Sequence, residues 1–494
     1  MQPQRENRLP RLLRNWLSQA GIVLGGLCFL TGVILLAVDF QTKHASPYFG
    51  LLLYLVVPML LSGCLLLVVA GVVWTMWRER KGLAALPLLT IDLQDRTTLT
   101  RLVITAAAFL IVVAVSAVAT YRAYHFTESV EFCGKTCHQV MKPEYTSFQN
   151  SPHSNTSCAE CHIGPGAEWY VNAKLSGLYQ VYSVLFNKYK RPIETPISNL
   201  RPARDTCLAC HWPSKFFGAV LRTWTHYLPN KENSPWSVKM LLNIGGGDPA
   251  HGMIHGIHWH MEGVNTVEYI AADARRTEIP WVRVTDQKGA VTIFQTTDEK
   301  LRLAPEKVAG VTPRRMDCLD CHNRPTHRYL SPNEAVDLAM SSGEIDSSLP
   351  SVKETAAKLL AATYTNDVQA QAAIADGLSA KYPDSPKLAD TIQALQRVYG
   401  RNFFPEMKVR WEAYPNHIGH KISAGCFRCH DGLHVSSTGA TIRKDCTICH
   451  TILAQGASVN PEGMSQKGLT FEHPEDIGDA WQTDRCDTCH TGAP

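Results

Sequence analysis

The 494-residue chain is short of net charge, of hydrolytic signatures and of spare cysteine. Its 48 Lys and Arg against 44 Asp and Glu leave a formal charge of only +4, which gives no basis for a nucleic-acid partner. No nucleotide-binding glycine loop is present, since NIGGGD precedes no helix-and-strand unit and reads as a loop. No serine or cysteine nucleophile arrangement and no paired-carboxylate pattern rises above background. The absence of a fixed repeat period excludes a solenoid. Of the 16 cysteines, fourteen fall into seven pairs, each followed directly by histidine. The other two, Cys28 and Cys64, lie in apolar runs and read as small inert hydrophobes.

Six of the pairs are C-x-x-C-H. They are CAECH (Cys158, Cys161, His162), CLACH (Cys207, Cys210, His211), CLDCH (Cys318, Cys321, His322), CFRCH (Cys426, Cys429, His430), CTICH (Cys446, Cys449, His450) and CDTCH (Cys486, Cys489, His490). The seventh, CGKTCHQVM, with Cys133, Cys137 and His138, carries one residue too many between its cysteines. In this motif two thiols add across the vinyl groups of one haem, and the adjacent histidine becomes the proximal ligand of the iron. This composition would yield on the order of a few hundredths of such a match by chance. Zinc would need two half-sites converging on one metal and no histidine after every second cysteine. A disulfide framework suits small secreted domains, not a chain of this length. Seven covalently bound haem c groups are the expectation.

Three apolar runs place the chain in a membrane: about Ala20 to Val38, Tyr48 to Trp77 and Leu102 to Ala119. Each is near the ~20 residues needed to cross the hydrocarbon layer. LLAVDFQTKH offers no A-x-A cleavage pattern, so the first run is expected to be retained. Arg5, Arg8, Arg11 and Arg14 precede it, and Arg78, Arg80, Lys81, Arg96 and Arg101 lie in the second connection, while DFQTKHASP carries only Lys43. The basic segments belong in the cytoplasm. Everything after about Tyr121 is then periplasmic, the side on which c-type haem is attached.

The expected fold is mainly α: three transmembrane helices, then a multihaem domain with much irregular structure and a small antiparallel β unit. Residues 1–120 form the anchor and 121–230 a domain with three haems. Residues 231–317 form a linker, in which TVEYIAAD, IPWVRVTD and AVTIFQTT read as strands and HGMIHGIHWH is a histidine cluster. Residues 318–404 hold the fourth haem and an alanine-rich helical segment, with helix starts at Ser331-Pro332, Leu349-Pro350 and Ser385-Pro386. Residues 405–494 form a C-terminal three-haem domain.

A six-coordinate iron needs a second axial ligand. His153, His327, His434 and His473 stand close to haem motifs and rank first. The cluster of His251, His255, His258 and His260 is expected to supply at least one ligand, with His258 and His260 as candidates. His417 and His420 compete for one role, and His226 completes the candidate set.

The segment FCGKTCHQVMKPEYTSFQNSPHSNTSCAECHIGPGAEWYVNAKLSG, continuing to LRPARDTCLACHWPSKF, resembles the NapC/NirT family of membrane-anchored multihaem cytochromes. GIHWH, MDCLDCHNRPTH, MKVRWEAYPNHIGH and GCFRCHDGLH extend the likeness to longer seven-haem inner-membrane cytochromes of metal-reducing bacteria. The resemblance implies a quinol dehydrogenase that oxidises menaquinol at the outer face of the inner membrane. Its electrons pass to periplasmic cytochromes or a reductase subunit. It implies that Lys174 lies at the quinol pocket, where it would favour loss of the hydroxyl proton. Taken alone, Lys174 is a surface residue of an amphipathic helix. The family's aspartate beyond this lysine is replaced here by Gln180, which cannot accept a proton. Relatives with C-x-x-C-H-x-M ligate the first haem through methionine, so His138 and Met141 share the proximal candidacy. Met141 lies three residues after His138 rather than two, and a core role is its plain alternative.

Three functions fit the sequence: a quinol-oxidising conduit, the same path run backward to reduce quinone, or a terminal reductase of nitrite or a sulfur oxyanion with one open haem. The many spare histidines favour the conduits.

Overall fold

The computed structural model describes residues 13, 15–41, 56–83, 96–97, 99–100, 103–104, 107, 121–122, 124–136, 138–164, 166–197, 200–212, 216–245, 256–261, 265–457 and 463–494. The chain divides into two compact units, Met1–Thr127 and Glu128–Pro494.

In the first unit, helices α1 (Trp16–Gln41) and α2 (Val57–Arg80) pack side by side. Close approach is possible because Gly71 faces Ser18 and Asn15, where an added Cβ would lie 2.3 Å from the Ser18 hydroxyl. Ser18 Oγ donates to the Val68 carbonyl at 3.1 Å, the kind of interhelical bond that holds helices together where water is scarce. Among the described residues these are the two helices long and apolar enough to cross a membrane. The expected anchor of three helices is thus seen as two, because the third run, 102–119, lies almost wholly outside the described residues.

The second unit begins with α3 (His138–Gln149) and α4 (Ala167–Leu185). Strands β1 (Val220–Tyr227), β2 (Pro235–Leu242), β3 (Thr266–Ile270), β4 (Trp281–Thr285), β5 (Val291–Thr296) and β6 (Arg314–Arg315) follow. Next come α5 (Pro332–Ser341), α6 (Val352–Ala361), α7 (Asp367–Lys381) and α8 (Leu388–Asn402), then β7 (His434–Ser436) and β8 (His450–Gly456).

The expected β unit is present as β3, β4 and β5, in which Val282 pairs with Tyr269 on one side and Phe294 on the other. It is larger than expected, an antiparallel sheet ordered β6-β3-β4-β5-β7, and a second sheet ordered β1-β2-β8 stands beside it in sequence. Strands β7 and β8 adjoin haem motifs and find partners far away in the chain, Gln295 for Val435 and Val238 for Gln455, so local alternation does not reveal them.

The alanine-rich segment folds as α5 to α8. Ser331 accepts from the Glu334 amide, and Glu334 reaches back to the Ser331 amide, a capping box with Pro332 in the first turn. The other starts fall slightly later than expected, at Val352 and Leu388. Val336, Leu360, Ile374, Leu378 and Leu395 meet in a core at 0% exposure. Truncating one such leucine to alanine costs about 2–5 kcal/mol.

Candidate haem centres

The regular motifs each form one turn of helix. The His322 amide donates to the Cys318 carbonyl, and the His490 amide to that of Cys486, both at 2.8 Å. One turn brings two cysteines three apart to the same face and starts the histidine on the next. The irregular motif differs: Phe132–Thr136 is a π-helical turn, the wider geometry that absorbs one extra residue. Gly134 makes it possible, because a Cβ there would lie 2.1 Å from the Tyr145 ring of α3. Cys137 and the side chain of His138 lie outside the described residues. Met141 is half-buried on α3.

Each of the six regular motif histidines faces one histidine from elsewhere in the chain. Ring centroids stand 6.3 Å apart for His162 with His327 and 6.0 Å for His211 with His153. They are 6.3 Å apart for His322 with His258, 5.8 Å for His430 with His260, 6.2 Å for His450 with His420 and 5.9 Å for His490 with His473. An iron bonded to one nitrogen of each of two imidazoles, at about 2 Å per bond, separates the centroids by roughly 6 Å. The residues fit the group.

In four of the six facing histidines the second ring nitrogen fits it too. Nδ1 of His258 bonds the Ile244 carbonyl at 2.7 Å, that of His260 the Ile257 carbonyl at 2.8 Å, that of His327 the Glu144 carbonyl at 3.1 Å and that of His473 the Glu475 carbonyl at 2.9 Å. A histidine that gives its Nδ1 proton to a carbonyl turns a bare Nε2 toward a metal. Loss of hydration pushes His327 down to about 3 and His260 to about 4, so both rings are neutral at pH 7.

Among the described residues, three candidates have no ring contact with a motif histidine. His434 is buried, with Nδ1 on Asp431 Oδ1 at 2.9 Å and Nε2 on the Ile279 carbonyl at 2.6 Å, leaving no nitrogen for iron. His226 Nδ1 pairs with Asp337 at 3.0 Å. His417 lies against Arg428 and the Asp320 carbonyl, its Nε2 buried without a partner. His251 and His255 fall outside the described residues.

Successive motifs lie near one another in chain order. Cys133 lies beside Cys158, and Cys207 beside Cys318. Cys161 feels Cys210, Cys321 feels Cys426, and Cys449 feels Cys426 through space. Cys486 Sγ lies 3.8 Å from Nδ1 of His420, the partner of His450. Near the first motif, Lys174 sits over the Tyr170 ring at 4.9 Å, and the neighbouring Cys158 and then the Lys174 charge hold the Cys133 thiol below its usual pKa. Gln180 instead bonds Ser176 at 3.4 Å. Sequence reasoning missed Glu128, which acts on both Cys133 and Tyr170 and has a buried, unpartnered Oε1. Its lone carboxylate carries no motif that could have flagged it.

Residues 94–195 match the NapC/NirT cytochrome c family, N-terminal region. The whole chain is 43% identical over 496 residues to the cytochrome c-type protein ImcH of Geobacter sulfurreducens, covering 97% of this chain and 96% of ImcH. The chain belongs to the ImcH family of c-type cytochromes. With its NapC/NirT region and apolar helices it is a membrane-associated multihaem cytochrome of electron transport, carrying covalently bound haem c. No solved structure matches it.

Proposed function

We propose that the protein is a seven-haem quinol dehydrogenase of the inner membrane, its N-terminus cytoplasmic and its haem domain periplasmic. It oxidises menaquinol and passes electrons singly to periplasmic cytochromes. The observation that carries this reading is the set of six facing histidine pairs on motifs that lie near one another in chain order, starting near Lys174. Haem held by these pairs supplies one-electron redox chemistry.

The first motif is suited to receive quinol. Helix α4 leaves Leu175, Leu178 and Leu185 60%, 68% and 74% exposed, an uncovered apolar face that lipid would cover and along which a hydrophobic quinol would arrive. Lys174 donates to the quinol oxygen and stabilises its anion, while Glu128 takes the proton that Gln180 cannot. Two protons and two electrons leave each quinol, the electrons one at a time. The path ends at Cys486 and the exposed Cys489. Exposed Glu472, Glu475, Asp476, Asp479 and Asp484 precede this motif and favour a positively charged partner protein. A terminal reductase needs an open iron, and six of the seven motif histidines face a second histidine, which weighs against it.

Adding a reduced menaquinone analogue to the purified protein and following haem reduction in the visible spectrum tests the proposal. Reduction in the native protein, strongly slowed in Lys174→Ala, is expected. Absence of reduction in both, with dithionite still reducing the haems, would refute it.

A further inference from the structure

The fourth and fifth motifs, CLDCH and CFRCH, are joined through charged side chains lying between their cysteines. Asp320 is 1% exposed, accepts from Tyr269 Oη at 2.6 Å and Arg314 Nε at 3.0 Å, and pairs with Arg276. Arg314 also pairs with Asp317. Arg428 is 8% exposed and donates to three carbonyls, those of Gly425 and Arg276 at 2.8 Å and of Asp320 at 2.6 Å, and to His417 Nδ1 at 3.1 Å. Among the described residues no carboxylate forms an ion pair with Arg428. Asp431, farther along the same segment, is engaged by His434. The group sets three guanidiniums against two carboxylates, with Arg314 at its exposed edge, and the excess positive charge in its buried part sits on Arg428. Its field reaches the cysteines of both motifs, Cys321, Cys426 and Cys429.

A buried cation is costly to desolvate, and carbonyl hydrogen bonds only partly replace an opposite charge. Arginine cannot relieve the cost by losing its proton. A fixed positive charge favours whichever neighbouring state carries less positive charge, and ferrous haem carries one charge fewer than ferric haem.

We propose that Arg428 is a potential-setting residue, whose uncompensated guanidinium between the fourth and fifth haem motifs raises the reduction potential of the adjacent haem. This rests on the haem assignment above. The affected step is the gain of one electron by ferric iron to give ferrous iron, with dithionite as reductant in the titration below. A unit charge acting across about 10 Å at an effective dielectric of about 20 shifts such an equilibrium by about tenfold.

Potentiometric titration of the full-length protein, followed in the visible spectrum, tests this in Arg428→Gln and Arg428→Lys, with haem content measured by pyridine haemochrome. Gln keeps donors without charge, and Lys keeps charge without the fork. The expected result is that Gln shifts one haem about tenfold toward the oxidised form at fixed potential, about 59 mV for a one-electron couple, while Lys restores most of the shift. Unchanged potentials in both variants, or equal falls in both, would overturn the charge role. Loss of haem from both would make Arg428 a folding residue and also overturn it. A native protein without c-type haem would instead remove the haem assignment itself.

Discussion

Replacing His260 with alanine removes the ring that faces His430 at 5.8 Å and the Nδ1 bond to the Ile257 carbonyl. The structural loss is small, one net hydrogen bond of about 1 kcal/mol. The expected spectroscopic effect is large: on the proposed seven-haem assignment the haem of the CFRCH motif loses an axial ligand, and about 14% of the iron turns high-spin. His434→Ala gives the reverse. It removes a bond to the Asp431 carboxylate and another to the Ile279 carbonyl, together about 3 kcal/mol, and leaves the six haems between facing pairs low-spin. Low-temperature electron paramagnetic resonance reads the spin state, and urea unfolding reads the stability. A high-spin signal in His434→Ala above that of the native protein, or no increase in His260→Ala with its haem content intact, would refute the pairing of facing rings with iron.

Lys174→Ala and Glu128→Gln should each slow haem reduction by menaquinol about a hundredfold in stopped-flow measurements, while reduction by dithionite is unchanged. Gly134→Ala drives a Cβ into the Tyr145 ring and should impair attachment at the first motif, lowering the haem-to-protein ratio by about one in seven. The pH dependence of stability carries a contribution from His434: burial lowers its pKa, but the bond and charge of Asp431 outweigh burial and raise it. The protonated ring therefore stabilises the fold fully below the unfolded value near pH ~6.5, and this stabilisation fades as pH rises through the higher folded value. His434→Ala should flatten that part of a urea-midpoint profile, and an unchanged slope would contradict it.

The parts legible in the sequence are those in which chemistry is local. Each haem motif is one helical turn, so spacing alone finds it, and Ser331-Pro332 announces α5 because capping residues act within one turn. His258 and His260 flank Trp259, and both rings are brought to motif histidines, which the density of histidine in HGMIHGIHWH foreshadowed. His434 stands four residues after His430, yet the chain turns there into β7 and places the ring against Asp431 and Ile279. His420 and His417 could not be ranked from YPNHIGH; three residues of chain turn one toward His450 and the other toward Arg428. Asp320, Arg428 and Glu128 stayed invisible, since their significance lies in contacts or burial that no spacing encodes.

The most direct test of the ordered path is the rate at which the full-length protein in lipid nanodiscs transfers electrons from menaquinol to a soluble basic c-type cytochrome, compared between native protein and a Cys486→Ala/Cys489→Ala variant. The path predicts that the variant's remaining haems are still reduced by menaquinol while onward transfer is lost. Onward transfer at the native rate, with the last haem absent, would contradict a chain of haems that runs from Lys174 to the C-terminal motif.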